Sequence, residues 1–473
     1  MVRATSARGR RGSVFPGRWR TCAGYRTRVL RLHDTALGRV VPFEPREAGK
    51  VSMYVCGPTV YDVPHLGHGR NVLVYDVLRR YLEWSGHEVN HVSNVTDVDD
   101  NIIKRANVER RSPDEVAEEY EAAWWAALDS LGVLRPTADP HASDYIAGMV
   151  ELIEQLFERG VAYETSDGVY FEAAQVADYG LLAGQPLESL KTGGGERAVV
   201  GEETKRSPAD FVLWKKAKPG EPSWPSPWGD GRPGWHTECV VMSLDLLGDD
   251  FDLHTGGLDL KFPHHENERA QAVAVGRRFA RHWMHHAFVE IAGEKMSKSL
   301  KNFTSLTDLL AQTDARAYRL LVLQSHYRSP VEVTRETVEH AERTLAGLDN
   351  FARAAAKVPA APADAAVMQQ FSERMDDDLN TPGAMEVLFT TVTRFNSSRD
   401  PALAAAVHEM ARVVGLELHA GALEADAESA ELVRQRDDAR ANRDWARADA
   451  LRAELRARGW VVEDGPDGTE IHR

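Results

Sequence analysis

Three short stretches gather side chains able to do chemistry. FPHHENE (262–268) sets two histidines and two glutamates within five consecutive positions, with His264 and Glu268 four apart. On a helix that spacing brings both to one face, where an imidazole and a carboxylate are ligand types for a divalent metal. A charged, solvated helix face is the plainer reading. HLGH (65–68) follows the strand-like KVSMYVC and a loop broken by Gly57, Pro58 and Pro64. Backbone N–H groups at a helix start favour phosphate. Gly67 lets a ligand approach the backbone, and His65 and His68 can donate hydrogen bonds to phosphoryl oxygens. KMSKS (295–299) lies between an apolar strand and the polar KNFTSLTD. Its Lys295 and Lys298, with two serines, can neutralise and orient a departing pyrophosphate. Singly, HLGH reads as a helix cap and KMSKS as a lysine-rich turn; as a pair about 230 residues apart they point to nucleotidyl transfer. Neither G-x-x-x-x-G-K-[ST] nor a helix-opening G-x-G-x-x-G is present, so P-loop and dinucleotide readings lose their basis.

The elements that must position these residues follow from periodicity. KVSMYVC alternates toward a strand, and from His65 apolar residues return every three or four positions until Gly86. HEVNHVSNVTDVDD reads as a second strand running into an acidic loop. Strand, helix and strand make a βαβ unit, hence a parallel, doubly wound sheet. Residues 115–160 look helical, with acidic, alanine-rich solvated faces. From 165 to 235 the texture turns to Gly, Pro and Trp, as in an inserted module whose tryptophans pack. DFDLHTGG and HHAFVEIAGEK supply a second sheet half. After Ser305 amphipathic helices predominate, closing on a hairpin around GPDG.

Composition bounds the rest. A chain of 473 residues is too long for one core, so two to four domains are expected. With 43% hydrophobic and 27% charged residues it is an ordinary globular chain, and no apolar run reaches membrane-spanning length. The net charge of −15 gives no nucleic-acid signal in total, although an acidic body can carry a local basic surface. Cys22, Cys56 and Cys239 are too few and scattered for a disulfide framework, which fits a reducing compartment. Residues 1–27 are rich in arginine, with no acid before Asp34; they suit a transit peptide, a disordered extension or an early start, and are set aside with Cys22.

HLGH with KMSKS resembles the signature pair of class I aminoacyl-tRNA synthetases. Longer strings are similar to the cysteinyl branch of that family: YVCGPTVYDVPHLGHGR, NVTDVDDNI, DFVLWKKAKPGEPSWPSPWGDGRPGWHTEC, FPHHENERAQA, GEKMSKSLKNF, MDDDLNTPGA and DWARADALR. The similarity covers about residues 28–473. It implies a Rossmann-type α/β catalytic domain (28–143 and 230–280) with an inserted connective module (144–229). A KMSKS and stem-contact region (281–340), a helical bundle (341–428) and an anticodon-binding region (429–473) follow.

The resemblance also implies a ligand set: Cys56, Cys239, His264 and Glu268 match the family's zinc ligands. Chemistry gives the reason. One small group in a pocket discriminates by only about 1–3 kcal/mol, whereas a soft metal takes a thiolate far more readily than a hydroxyl. Gly57, Thr96, Trp235, His254 and Asp259 match positions around the bound amino acid, with Asp259 suited to the ammonium and Trp235 to walling off the side chain. Trp235 also suits a plain core role. Arg440, Trp445, Asp449 and Asp464 match anticodon-reading positions, for which stacking and carboxylate acceptance are the usual tools; a helical face with a buried Trp445 is the alternative.

By resemblance the reaction is ATP-dependent activation of L-cysteine and transfer to its tRNA, with one Zn²⁺ per chain, Mg²⁺ accompanying ATP, and a cytoplasmic monomer. His65, Gly67, His68 and Lys298 would bind ATP, with His65, His68, Lys295 and Lys298 acting on the phosphates. Two rivals stay open: a ligase passing cysteine to an amino sugar, as in mycothiol synthesis, and a catalytically silent RNA-binding homologue with structural zinc.

Overall fold

The computed structural model describes residues 29–189, 204–290, 305–420, 427–465 and 468–472. KMSKS, with Lys295 and Lys298, lies outside the described residues, as does Cys22. The chain opens with an antiparallel hairpin, β1 (Arg31–Asp34) and β2 (Arg39–Pro42). Then comes β3 (Lys50–Val55), α1 (Leu66–Trp84) and β4 (Glu88–Ser93). In β3, five of six residues are buried, so KVSMYV is a central strand covered on both faces and not an alternating one. Helix α1 forms because Leu66, Leu73, Val74, Leu78 and Leu82 recur on its buried side. Its start is fixed by a reciprocal cap, in which the His65 ring accepts from the His68 N–H and the His68 ring from the His65 N–H. Ser85 and Gly86, the latter at φ +95°, stop it.

The region of helical texture from 115 to 160 divides in two. Helix α2 (Asp100–Glu109) precedes α3 (Pro113–Ser130), and α4 (Ile146–Glu158) follows after a break. Helix α4 buries Ile146, Met149, Leu152, Ile153 and Leu156, so its apolar stripe matters more than its acidic face. Next, β5 (Ala162–Glu164), β6 (Gly168–Phe171), β7 (Phe211–Lys216) and β8 (Gly231–Pro233) make a separate antiparallel sheet. Trp214 is fully buried there, and Trp228 stacks on Phe157, so these tryptophans pack.

Helix α5 (Trp235–Leu247), β9 (Leu253–Gly257), α6 (Glu266–Ala274) and β10 (His282–His286) return the chain to the first sheet. Its order is β10-β9-β3-β4, parallel throughout. The winding leaves β3 toward β4 on one side and comes back to β9 on the other. Beyond the carboxyl ends of β3 and β9 lies the topological switch point, the crevice where open α/β sheets bind ligands. Cys56 immediately follows β3, and β9 ends in Gly256 and Gly257.

A short parallel pair, β11 (Val289–Glu290) and β12 (Val331–Glu332), brackets α7 (Leu306–Gln312) and α8 (Ala315–Leu323). Helices α9 (Arg335–Ala355), α10 (Ala365–Met375), α11 (Thr381–Ser398) and α12 (Pro401–Val413) then pack in one continuous apolar core with α1 and β3. MDDDLN makes the joint: Asp378 (φ +60°) and Leu379 (φ +50°) are consecutive left-handed residues. The Asp378 carboxylate accepts from the His33 N–H at 2.8 Å, the Tyr327 hydroxyl at 2.5 Å and the Arg328 guanidinium at 2.7 Å.

The last helices, α13 (Ala427–Ala441) and α14 (Trp445–Ala457), carry an antiparallel hairpin, β13 (Val461–Gly465) and β14 (Gly468–His472), over a small core of Leu432, Leu451, Leu455, Trp460 and Val462. Among the described residues no helix is long and apolar enough to cross a membrane.

Candidate active site

Four buried ligand atoms from four segments converge at the crevice: Cys56 after β3, Cys239 in α5, His264 in the turn before α6, and Glu268 in α6. All lie within 4.8 Å of one another. The two Sγ atoms are 4.0 Å apart, Cys239 Sγ is 3.6 Å from His264 Nε2, and Cys56 Sγ is 3.8 Å from Glu268 Oε1. His264 Nε2 and Glu268 Oε1 are 2.9 Å apart. The expectation of one continuous helix face for this pair needs correcting. His264 belongs to a π-type turn, Lys261–His265, in which Phe262 is extended (φ −143°, ψ +133°), and only Glu268 sits in α6. The spacing of four still brings them together.

Burial dominates the electrostatics. It pushes the Cys56 thiol well above its ordinary range, with the neighbouring Cys239 adding to the effect. It raises Cys239 to about 12 and lifts Glu268, while His264 is lowered to about 4. Burial thus keeps the two thiols protonated and the imidazole neutral, and disfavours the Glu268 carboxylate. A divalent cation among them would favour the thiolates and the carboxylate, and the neutral imidazole is already the ligating form. Two sulfurs, one imidazole and one carboxylate in a dry pocket fit a borderline-soft, tetrahedral metal.

Supporting contacts orient His264 and Glu268. The Trp235 ring stacks on His264 at 3.9 Å between centroids, and His236 Nδ1 lies 2.9 Å from His264 Nδ1, which leaves Nε2 for the thiols. His254, matched by resemblance to the amino-acid pocket, is fully buried with Nε2 2.6 Å from Glu268 Oε2 and its ring stacked on Trp283. It therefore supports the cluster from behind.

The three FPHHENE residues without an expected role all have partners. His265 Nε2 is 3.3 Å from Cys56 Sγ, and its Nδ1 is 2.8 Å from His285 Nε2, whose own Nδ1 meets Thr35. Cys56, His254, His265 and Glu268 also lie close enough to hold a metal, but with one sulfur. Glu266 accepts from the Leu182 N–H at 2.7 Å and Asn267 from the Tyr179 hydroxyl at 2.5 Å, pinning the turn to residues 179–182.

Gly57 is forced by close approach: its N–H donates to Asn94 Oδ1 at 2.9 Å, and a Cβ there would fall 1.7 Å from the Asn94 carbonyl oxygen. Thr96 lies beside it, buried, 2.6 Å from Glu238. The acids of NVTDVDD are structural. Asp97 accepts from Ser143, Asp99 caps α2, and Asp100 pairs with Lys215 at 2.6 Å and Arg232 at 2.5 Å.

At the start of α1 the His65 and His68 rings stack at 3.7 Å, with the Trp124 edge against His68. Burial, then the neighbouring His65, lowers His68 to about 3, so it offers hydrogen bonds and not charge. The space beside Gly67 is taken by the His65 ring, 2.9 Å from where a Cβ would stand. Asp259, exposed just past β9, is close enough for its charge to act on His65.

In the C-terminal helices and hairpin, Arg440 Nη1 meets Asp464 Oδ1 at 2.6 Å, alongside Arg436 at 2.7 Å. Trp445 is 60% exposed at the first position of α14, so the buried-tryptophan reading fails; Asp449 is exposed one turn later.

Residues 42–343 match the family model described as tRNA synthetases class I (C) catalytic domain. A methionyl-tRNA synthetase of Mycobacterium tuberculosis in complex with methionyl-adenylate shares the fold, with TM-score 0.57 and 15% identity over 77% of this chain and 89% of that one. Fold and catalytic-domain match together define a class I aminoacyl-tRNA synthetase. Residues 370–419 match a DALR domain and 423–471 a cysteinyl-tRNA ligase anticodon binding domain. A cysteine–tRNA ligase of Halorhodospira halophila is 44% identical over 463 residues, covering 94% of this chain and all of that protein. One of Chromobacterium violaceum is 45% identical over 456 residues, with 93% and 99% covered. The chain belongs to the cysteine–tRNA ligase family.

Proposed function

We propose that this chain is an ATP-dependent cysteine–tRNA ligase that selects its amino acid through a metal held by Cys56, Cys239, His264 and Glu268, and that the metal is Zn²⁺. The observation that carries the reading is the convergence of those four buried donors at the sheet's switch point, beside the helix start that bears His65 and His68. When bound, zinc supplies a soft site that takes the substrate thiolate and discriminates against serine's hydroxyl. Trp235, on the His264 ring, walls off the small side chain, and Asp259 and Thr96 receive the ammonium.

His65 and His68, neutral and locked to each other, donate hydrogen bonds to phosphoryl oxygens as the cysteine carboxylate attacks the α-phosphate of Mg²⁺-ATP. Lys295 and Lys298 hold the departing pyrophosphate. The terminal ribose hydroxyl of tRNA then takes the acyl group from cysteinyl-adenylate. Arg440, Trp445, Asp449 and Asp464 face the anticodon, with exposed Trp445 as the stacking platform. A cytoplasmic monomer fits this role.

The match of residues 423–471 favours tRNA over an amino sugar as acceptor. Cysteine-dependent ATP–pyrophosphate exchange, followed by transfer to tRNA with serine and the amino sugar as controls, tests the reading. Exchange and tRNA charging with cysteine alone are expected; absence of exchange would overturn it, and transfer only to the amino sugar would replace it.

A further inference from the structure

We propose that Glu238 is a positioning residue for the substrate amino acid, fixing the Thr96 hydroxyl as a hydrogen-bond acceptor aimed at the substrate ammonium. This rests on the assignment of Thr96 to the amino-acid pocket and goes beyond it by giving the hydroxyl a polarity and naming the group that sets it.

The polarity follows from counting protons along one chain of contacts. Asn94 has a defined orientation, because its Oδ1 accepts from the Gly57 N–H at 2.9 Å. Its Nδ2 must therefore donate to Thr96 Oγ1, at 3.2 Å. A hydroxyl has one proton and two lone pairs. Asn94 takes up one lone pair, and the proton points to Glu238 Oε1, 2.6 Å away. Oε1 accepts when the carboxyl is ionised, and equally as the carbonyl oxygen of an acid protonated on Oε2. One lone pair remains on Thr96, and it matches a group that only donates, as an ammonium does.

Backbone contacts remove the slack that would let Thr96 turn. Its N–H donates to the Pro58 carbonyl at 3.0 Å, and its carbonyl accepts from the Val60 N–H at 3.2 Å. Glu238 is 2% exposed, in α5 immediately before Cys239, and among the described residues no lysine or arginine pairs with it. A buried carboxyl that faces a neutral hydroxyl, with no cation paired to it among the described residues, is costly to keep for folding alone. The same bond joins the helix bearing Cys239 to the segment beside Cys56, so amino-acid pocket and thiol site share one register.

The test is cysteine-dependent ATP–pyrophosphate exchange on the full chain, with bound metal quantified in parallel. E238M keeps length and helix propensity but offers no acceptor, whereas E238Q keeps one in its amide oxygen. We expect E238M to raise KM for cysteine about tenfold or more, E238Q to stay within about threefold, and both to leave metal stoichiometry and KM for ATP unchanged. T96V should reproduce the rise and T96S should not. The double variant E238M/T96V should be no worse than T96V alone, because Glu238 acts through Thr96.

An unchanged KM in E238M overturns the inference, as does multiplication of the two effects in the double variant. Loss of metal in E238M would also overturn it, by making Glu238 a prop of the metal site. If E238M does not fold, the T96V and T96S pair with E238Q decides: KM rising in E238Q but not in T96V overturns the proposal. Failure of wild-type exchange would instead strike the functional reading, so the two failures are distinguishable.

Discussion

The two regions that would recognise substrate are built on opposite principles. At the switch point Cys56, Cys239, His264 and Glu268 come from segments up to 212 residues apart, and all are buried. The C-terminal set draws Arg440, Trp445, Asp449 and Asp464 from two adjacent helices and one strand, and leaves Trp445 60% exposed. A thiol differs from a hydroxyl by polarizability more than by size, so discrimination needs a dry, pre-oriented site. An unpaired base offers a wide aromatic face, and reading it needs a platform open to solvent.

The contrast can be broken from either side. Cys239→Ser removes a soft donor from the dry site and should abolish stoichiometric zinc binding and lower exchange by more than about 100-fold; metal analysis of the folded variant checks it, and retained zinc would displace Cys239 from the ligand set. A pH titration of metal affinity comes next. Cys56 and Cys239 are held above their ordinary values in the apo protein and must lose protons to bind. Affinity should therefore climb as pH rises from 6 to 8, by as much as about 100-fold per unit if two protons leave; competition with a chelator of known pH behaviour measures it.

His254→Ala acts one contact further out. Loss of its 2.6 Å contact with Glu268 should weaken zinc affinity about 10–100-fold while the fold persists. The same competition assay reads this. Trp445→Ala should lower tRNA charging about 10–100-fold, as loss of one stacked base implies, and leave tRNA-free exchange within about twofold. A fall in exchange would mean that the two regions are not independent.

How much of this was legible in the sequence differs in the same way. The βαβ opening, the helix beginning at HLGH and the hairpin around GPDG were readable because each depends on local periodicity and turn chemistry. The four donors stood out through residue type and resemblance. What stayed hidden was everything set by packing between distant segments. His265 against Cys56 and His285, His236 behind His264, and Glu238 on Thr96 carry no periodic signal. The only cue was that His236 and Glu238 stand within three residues before Cys239 in GWHTEC. NVTDVDD was legible only as an acidic loop; its carboxylates cap α2, hold Ser143 and pair with Lys215 and Arg232, and these three partners come from distant segments.

The central claim is that the metal holds the substrate's own sulfur. Zinc-edge X-ray absorption on the zinc-loaded protein tests it directly, with cysteine, then serine, added to separate samples. Sulfur coordination should rise by one when cysteine is added, above the two supplied by Cys56 and Cys239, and stay unchanged with serine. An unchanged sulfur count with cysteine bound would contradict the account.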